Sequence, residues 1–370
     1  MRRLILGCVL LAGLPALARA QKADYGKIIM GTRDSMWSPT LKEHRKFQVY
    51  TPRSYTDTNY APAKYPVLYL LDGDAHFHSV TGLVQILGTG VNGTYVVPEM
   101  IVVAIPNTDR TRDMTPTHVD KDDQGKPYPF GKTSGGMANF LAFIKSELIP
   151  HIDSAYRTAP YRLFVGHSLG GITTIQALYT MPETFNAYVA IDPSLWWDNR
   201  VLLKKARDVF SKPGLAGRAL FVGQANTLVA ADTQDNAHFN SIIRFNRILE
   251  DYNRSGLRYA YKYYPDDDHG SVPMIAEYDA LRFIFAPYRL NATMAMDRPA
   301  YVREHYAEAS AKLGYRAQPP ERLMDLLSRT ELMRDTVKAL ELYQMAADMF
   351  PNSPKDYRGT LAKIRAKAGR

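Results

Sequence analysis

The segment Tyr161-Arg-Leu-Phe-Val-Gly-His-Ser-Leu-Gly-Gly-Ile172 passes from strand-forming residues to a helical pattern within Gly166-His-Ser-Leu-Gly170. A turn that sharp crowds its own backbone, so Gly166 and Gly170 leave room where a Cβ would not fit, and Ser168 is forced outward at the carboxyl edge of a sheet. Ser168 is thereby a candidate nucleophile. The next amide, Leu169 N–H, opens the following helix and is aimed at a developing oxyanion. A bare G-x-S-x-G fits flexible loops equally well. The context here, Leu163-Phe-Val165 before it and Ile172-Thr-Thr-Ile-Gln-Ala-Leu178 after it, gives strand, turn and helix, which is a nucleophile elbow.

The chain opens with Met1-Arg-Arg3, an apolar run from Leu4 to Leu14, and Ala18-Arg-Ala20 before Gln21. This is the pattern of a secretory signal peptide over residues 1–20, cleaved after Ala20 and too short to span a bilayer. The expected product is soluble and exported, periplasmic or secreted. Cys8, the single cysteine, leaves with the signal peptide, which excludes disulfides, zinc–thiolate sites and a cysteine nucleophile. No later apolar run approaches membrane-spanning length.

The formal charge of +9 overstates the basicity of the body. Arg2, Arg3 and Arg19 fall in the signal peptide, so the 46 basic residues become 43 against 37 acidic ones. Six more basic residues lie from Pro354 onward with Asp356 as their one acidic neighbour, which leaves the body nearly neutral. Nucleic-acid binding, which calls for a broad basic face interleaved with aromatics, is not expected.

Lys27 to Met36 and Arg45 to Pro52 read as a hairpin entering a sheet. Apolar strand runs recur at Val67–Leu71, Met100–Ile105, Leu163–Val165, Tyr188–Ile191, Ala219–Val222 and Tyr259–Tyr264, with helical patterns at Met137–Tyr156, Gly171–Thr180 and Asn236–Tyr252. Continuous apolar strands alternating with helices imply a mostly parallel sheet covered on both faces, with catalytic groups on loops beyond the carboxyl ends of the strands. The fold class expected is α/β, with a hydrolase domain over residues 21–290 and a helical extension over 291–370.

Asp266-Asp-Asp-His269-Gly-Ser-Val272 follows the last strand run and precedes the helix Ile275 to Phe285, where a general-base histidine belongs. Serine early and histidine late is the α/β-hydrolase order. His269 can take the Ser168 proton and return it to the leaving alcohol. Asp266 to Asp268 point in different directions and read as a solvated, helix-capping turn rather than a cation site. The acid is expected in the loop after Phe221-Val-Gly-Gln-Ala-Asn226. Asn226 cannot ionise, so Asp232 is the choice, with Asp235, Asp192 and a serine–histidine dyad as alternatives.

The loop Leu71-Asp-Gly-Asp-Ala-His-Phe-His78 is expected to supply the second oxyanion donor from the Gly73 or Asp74 amide. His76-x-His78 are read as diverging residues of an extended segment, so no metal is expected. Arg110 and Arg112 follow the strand ending at Ile105. They read equally as a grip on an anionic substrate or as an Arg–Asp surface network. Trp196, in Pro193-Ser-Leu-Trp-Trp197, could wall the acyl or aryl site or simply pack.

With these motifs in hand, Tyr65-Pro-Val-Leu-Tyr-Leu-Leu-Asp-Gly73, Asn107-Thr-Asp-Arg-Thr-Arg-Asp113, Gly166-His-Ser-Leu-Gly-Gly171, Pro193-Ser-Leu-Trp-Trp-Asp198 and Asp267-Asp-His-Gly-Ser-Val272 resemble the serine esterases of the esterase D group, in particular the enterobactin (siderophore) esterase-like branch. The resemblance spans Lys27 to Phe285. It implies an α/β-hydrolase fold acting on small-molecule carboxylic esters without a cofactor, with Ser168 and His269 matching the catalytic pair. Asp192 departs from the pattern, since relatives commonly carry a small neutral residue before Pro-Ser. Asn226 departs as well, where a carboxylate would be expected.

Past Phe285 the composition becomes helical, and Ala339-x3-Tyr343-x2-Ala346-x4-Pro351 has the spacing of the second helix of a tetratricopeptide repeat. A single repeat cannot bury its own faces, so these helices should pack on the body or on a protein partner. Two other functional classes are open beside hydrolysis: an acyltransferase of the same fold, and a non-catalytic binding module.

Overall fold

The computed structural model describes residues 26, 28–90, 93–121, 125–128, 131–229 and 236–368. The signal-like residues 1–20 lie outside this set, as do Asp232 and Asp235. Eight strands form one sheet: β1 (Thr32–Ser38), β2 (Glu43–Tyr50), β3 (Tyr65–Leu71), β4 (Ile101–Ile105), β5 (Thr158–His167), β6 (Ala187–Ile191), β7 (Ala219–Ala225) and β8 (Arg258–Tyr264). Their order is β1-β2-β4-β3-β5-β6-β7-β8. The hairpin β1–β2 joins antiparallel, and β3 through β8 run parallel. This is the α/β-hydrolase fold anticipated from the strand pattern.

Alternation along the buried strands sorts the core into two layers. On one face Leu68, Leu70, Leu163, Val165, Val189, Ile191 and Phe221 join one hydrophobic cluster. Their sequence neighbours Val67, Tyr69, Phe164, Tyr188, Ala190, Leu220 and Val222 join another. Side chains of a strand point alternately to opposite faces, so a parallel strand buried on both faces must be apolar throughout, as all seven residues of β3 are. The first layer is covered by α1 (Gly73–Gly88) and, after the sheet, by α8 (Val272–Ile284). The second is covered by α2 (Arg110–Met114), α3 (Met137–Phe143), α4 (Ile149–Ala155), α5 (Leu169–Thr180), α6 (Trp197–Phe210) and α7 (Ala237–Tyr252). A π-helical turn, Ile144–Leu148, links α3 to α4.

One local expectation is corrected. The residues around His76 and His78 form the first turns of α1 rather than an extended segment. The run Phe77, Val80, Leu83, Val84 and Leu87 places a helical stripe against the sheet. His76 and His78 still diverge.

The last five helices are α9 (Ala292–Asp297), α10 (Tyr301–Leu313), α11 (Glu321–Leu332), α12 (Thr336–Met349) and α13 (Tyr357–Ala368). Ala339, Tyr343 and Ala346 are buried in the same cluster as Leu68, Val165 and Phe221. α11 is also tied to the β2–β3 connection. Glu321 accepts from Ala61 N–H at 2.7 Å, Arg322 pairs with Asp57 at 2.7 Å, and Asp325 accepts from Tyr60 Oη at 3.3 Å.

Glu277, on α8, is 4% exposed, and its Oε2 has no hydrogen-bond partner. Burial raises its carboxyl to about 8. An unfolded glutamate releases its proton near the ordinary value of 4.5, so between there and about 8 the unfolded chain binds fewer protons than the folded one. Stability owed to this group is therefore full below about 4.5 and falls as pH rises toward about 8. Glu277→Gln should raise the melting temperature at pH 8 relative to the parent, and the gain should vanish near pH 4.5. Melting curves at the two pH values check this.

Candidate active site

Three adjacent strand tips bear the site. β3 pairs with β5 with Leu70 beside Val165, and β5 pairs with β6 with His167 beside Ile191. Continued past the strand ends, these registers bring Asp72–Gly73, Ser168 and Asp192 side by side. Each tip turns through a left-handed residue that is not glycine: φ is +53° at Asp72, +60° at Ser168 and +39° at Asp192. Such backbone costs on the order of 1–3 kcal/mol per residue and persists where surrounding structure enforces it. Here Ser168 N–H donates to Ile191 O at 2.9 Å and Asp192 N–H to Gly223 O at 2.7 Å. A Cβ on Gly166 would lie 2.3 Å from Gly170 O, which is why the elbow needs glycine there.

A hydrogen-bonded chain links four side chains. Ser168 Oγ lies 3.1 Å from His269 Nε2, and His269 Nδ1 lies 2.6 Å from Asp192 Oδ2. An ionised carboxylate can only accept, so His269 carries its proton on Nδ1 and takes the Ser168 hydroxyl proton toward Nε2. Ser194 Oγ is 3.1 Å from Ser168 Oγ, and Ser194 N–H donates to Ser168 O at 3.1 Å. With Ser168 donating to His269, the Ser194 hydroxyl donates to Ser168. Asp232 and Asp235 lie outside the described residues, and among the described residues the carboxylate that meets His269 is Asp192. Asn226, at the end of β7, ties down the loop carrying His269 instead, with its N–H on Asp267 O at 2.8 Å and its Nδ2 on Pro265 O at 3.0 Å.

Asp192 has no exposed side-chain surface. Burial pushes its carboxyl up, but hydrogen bonds from His238 and His269 and the Ala225 amide outweigh that and hold it well below the usual range. His167, beside Ser168, is pushed down to about 3, chiefly by burial and then by the neighbouring His269 and His76. Its ring lies 4.4 Å from that of His269, centroid to centroid, so His269 faces a neutral ring.

The remaining sequence candidates are distributed around this line. Leu169 begins α5, so its N–H belongs to the first-turn amides that have no carbonyl one turn back. Gly73 begins α1, and a Cβ there would come within 2.9 Å of Ile105 N. Arg110 is already engaged: Nε and Nη2 reach Asp72 at 2.6 and 3.0 Å, and Nη2 also donates to His167 O at 3.2 Å. Arg112 is held by Glu43 at 2.6 Å and Asp113 at 2.8 Å, beside the buried Arg45. These are the structural alternatives for both arginines. Trp196 is half-buried, 6.5 Å from the ring of Tyr128, while Trp197 is buried and donates to Thr117 Oγ1 at 3.2 Å. Asp268 closes the turn ahead of α8, accepting from Gly270 and Ser271 N–H, both at 2.9 Å. A cavity of about 760 Å³ lies away from these atoms, lined by Tyr50, Tyr65, Met100 and Pro160 near the starts of the parallel strands. Carboxyl-end placement makes the strand tips, and not this cavity, the catalytic location.

A strained serine on an elbow, a histidine within reach and a carboxylate behind it on this sheet define a serine hydrolase of the α/β-hydrolase class. The chain belongs to the family described as "Putative esterase", which matches residues 38–237, and it is a serine ester hydrolase. It is 31% identical over 274 residues to the ferri-bacillibactin esterase BesA of Bacillus subtilis, covering 70% of this chain and 91% of that protein. It is 31% identical over 208 residues to a siderophore enterobactin esterase of Emericella nidulans, covering 50% of this chain and 64% of that one. Among solved structures, an IroE-like serine hydrolase from Shewanella oneidensis matches with a TM-score of 0.78 and 30% identity, over 86% of this chain and 99% of that one. That share is too large to stop before the C-terminal helices.

Because Arg110 joins the β3 tip to the elbow carbonyl, Arg110→Gln should lower kcat by about tenfold or more, the scale of losing a hydrogen-bonded charge partner. The loss should be similar for neutral and anionic esters. Parallel kinetics on the two ester types check this, and a selective rise in KM for the anionic ester would instead mark Arg110 as a substrate grip.

Proposed function

We propose that this esterase hydrolyses siderophore esters through an acyl-enzyme on Ser168, with His269 as general base and Asp192 as the orienting acid. The observation that carries the mechanism is the unbroken path Ser168 Oγ–His269–Asp192, at 3.1 and 2.6 Å. His269 Nε2 takes the hydroxyl proton as Ser168 attacks the ester carbonyl. The oxyanion forms against the amides of Leu169 and Gly73, which supply fixed dipoles where charge develops. His269 then protonates the leaving alcohol, and water repeats the sequence to free the acid. Asp192 keeps the proton of the resting imidazole on Nδ1 and offsets the positive charge the ring gains.

The substrate class is supported by the relatives, two of which are named for siderophore esters. In this reading Trp196 walls the aryl part of the substrate, with Tyr128 packed edge to face against it at 6.5 Å. Arg110 and Arg112 add little to this reading, because carboxylates already engage their guanidinium groups. Among the described residues no helix is long and apolar enough to cross a membrane. The signal-like N-terminus supports action outside the cytoplasm, in the periplasm or medium, and mature protein there should begin at Gln21.

Ser168→Ala should remove activity by several orders of magnitude with the fold intact, and fluorophosphonate labelling should disappear with it. Asp192→Asn should lower kcat by as much as about 10⁴, because an amide can stabilise the wrong imidazole tautomer. A nearly silent Asp192→Asn would leave a serine–histidine dyad. A catecholate trilactone siderophore should be cleaved with kcat/KM at least about tenfold above p-nitrophenyl acetate, through binding of its remote parts. Cleavage of the simple ester alone would overturn the siderophore assignment while leaving the mechanism standing.

A further inference from the structure

Asp192 Oδ2 receives two histidines. His269 Nδ1 lies 2.6 Å from it and His238 Nε2 2.8 Å from it. The two imidazole rings meet edge to face, with centroids 5.1 Å apart. His238 comes from the first turn of α7, an element with no part in the elbow or the His269 loop. We propose that His238 is a positioning residue for ester hydrolysis, fixing the Asp192 carboxylate so that Oδ2 stays directed at His269 Nδ1. The inference rests on the Ser168–His269–Asp192 reading above.

The terminal torsion of an aspartate is broad, so geometry must come from its partners. Ala225 N–H holds Oδ1 at 3.0 Å, and His238 holds Oδ2 from another direction. Exposure of the three side chains is graded: 0% for Asp192, 21% for His238 and 43% for His269. The solvent-facing member is thus the one that exchanges protons, and the anchored pair lies behind it. An acceptor with no exposed surface cannot recruit water for a lost donor, so removing His238 leaves a buried anion one hydrogen bond short. His238 is itself seated firmly. Buried Gln224 donates to the carbonyl of the adjacent Phe239 at 3.1 Å and accepts from Tyr261 Oη at 2.6 Å, which ties the start of α7 to β7 and β8.

The same three side chains are of the types that hold a divalent transition metal. Such an ion would sit about 2.0–2.2 Å from each ligand atom. Contacts of 2.6 and 2.8 Å onto one shared oxygen are proton-bridged separations, so the geometry points to hydrogen bonding.

The test is a set of variants assayed in the presence of a chelator. His238→Ala should lower kcat by about tenfold to a hundredfold, the scale of one hydrogen bond to a buried charge, with KM little changed and Ser168 still labelled by a fluorophosphonate. His238→Gln, whose carboxamide donates from nearly the position of Nε2, should recover most of the loss. The downfield Nδ1 proton resonance of His269 should persist in His238→Gln and shift or broaden in His238→Ala. In an Asp192→Asn background His238→Ala should cost less than about threefold more, because coupled residues are non-additive. An equal loss in both backgrounds, failure of the glutamine rescue in a folded variant, or an unchanged kcat in His238→Ala would overturn the proposal. Loss of parent activity on chelation alone would overturn it in favour of a bound metal. Activity retained by Ser168→Ala would instead defeat the triad reading beneath it.

Discussion

A carboxylate with no exposed surface sits at the tip of β6, and the arrangement around Ser168 depends on keeping it ionised. Moving a carboxylate out of water costs several kcal/mol even after the protein relaxes, so a buried anion must be surrounded by donors. Asp192 collects them from three elements: the Ala225 amide at the end of β7, His238 on α7 and His269 before α8. Each must arrive at hydrogen-bond distance, which fixes three separate connections relative to one atom group. The left-handed backbone at Asp192 belongs to the same requirement, since it turns the side chain back over the sheet edge where these donors converge.

The nucleophile and base were legible in the sequence because each is marked locally: Ser168 by the glycines that a sharp strand-to-helix turn demands, and His269 by its place after the last strand run. The mostly parallel sheet followed from apolar runs that can only be buried on both faces. The acid was not marked. Its identity depends on which carboxylate the sheet register brings to His269, and Asp192, proposed for that role, is 77 residues away in the chain. Periodicity along β6 shows that Asp192 ends a strand, but not that a loop beyond β8 folds back over it. Asn226 illustrates the same point, since it occupies the place where an acid was expected and uses its amide to hold the His269 loop. His238 carried no motif at all, because a histidine in the first turn of an amphipathic helix looks like any surface residue until the sheet is assembled.

The arginines show how a pattern can mark a location without showing which carboxylates meet it there. Arg110 does reach the site, at the elbow carbonyl of His167, and Asp72 takes the Nε–Nη2 edge of its guanidinium. Burial pushes the Asp72 carboxyl up, and the hydrogen bonds from Arg110 and then Asn107 bring it below its ordinary value. A planar, permanently charged fork suits that task, because it can bridge a carboxylate and a carbonyl at once. The pair joins the tip that carries Gly73 to the tip that carries Ser168. An oxyanion hole built on Gly73 and Leu169 would depend on the relative placement of those two tips.

The C-terminal helices enter the same chain of causes from the other side. Helical spacing at Ala339, Tyr343 and Ala346 reports burial, and these residues belong to the cluster that also covers β3, β5 and β6. That layer contains Val272, Ala276, Ala280 and Ile284 of α8, the helix that begins three residues after His269. α8 packs on β6, β7 and α1, and the start of α8 sets where the His269 loop ends. The polar ties from Glu321, Arg322 and Asp325 to the segment before β3 close the other edge of the same layer. Burial of that layer contributes roughly in proportion to the apolar area removed from water, independent of any particular side-chain geometry. The hydrogen bonds at Asp192 are directional and few. The fold thus divides the work: a broad nondirectional contact keeps α8 in place, and three short hydrogen bonds onto one carboxylate convert that placement into the orientation of His269.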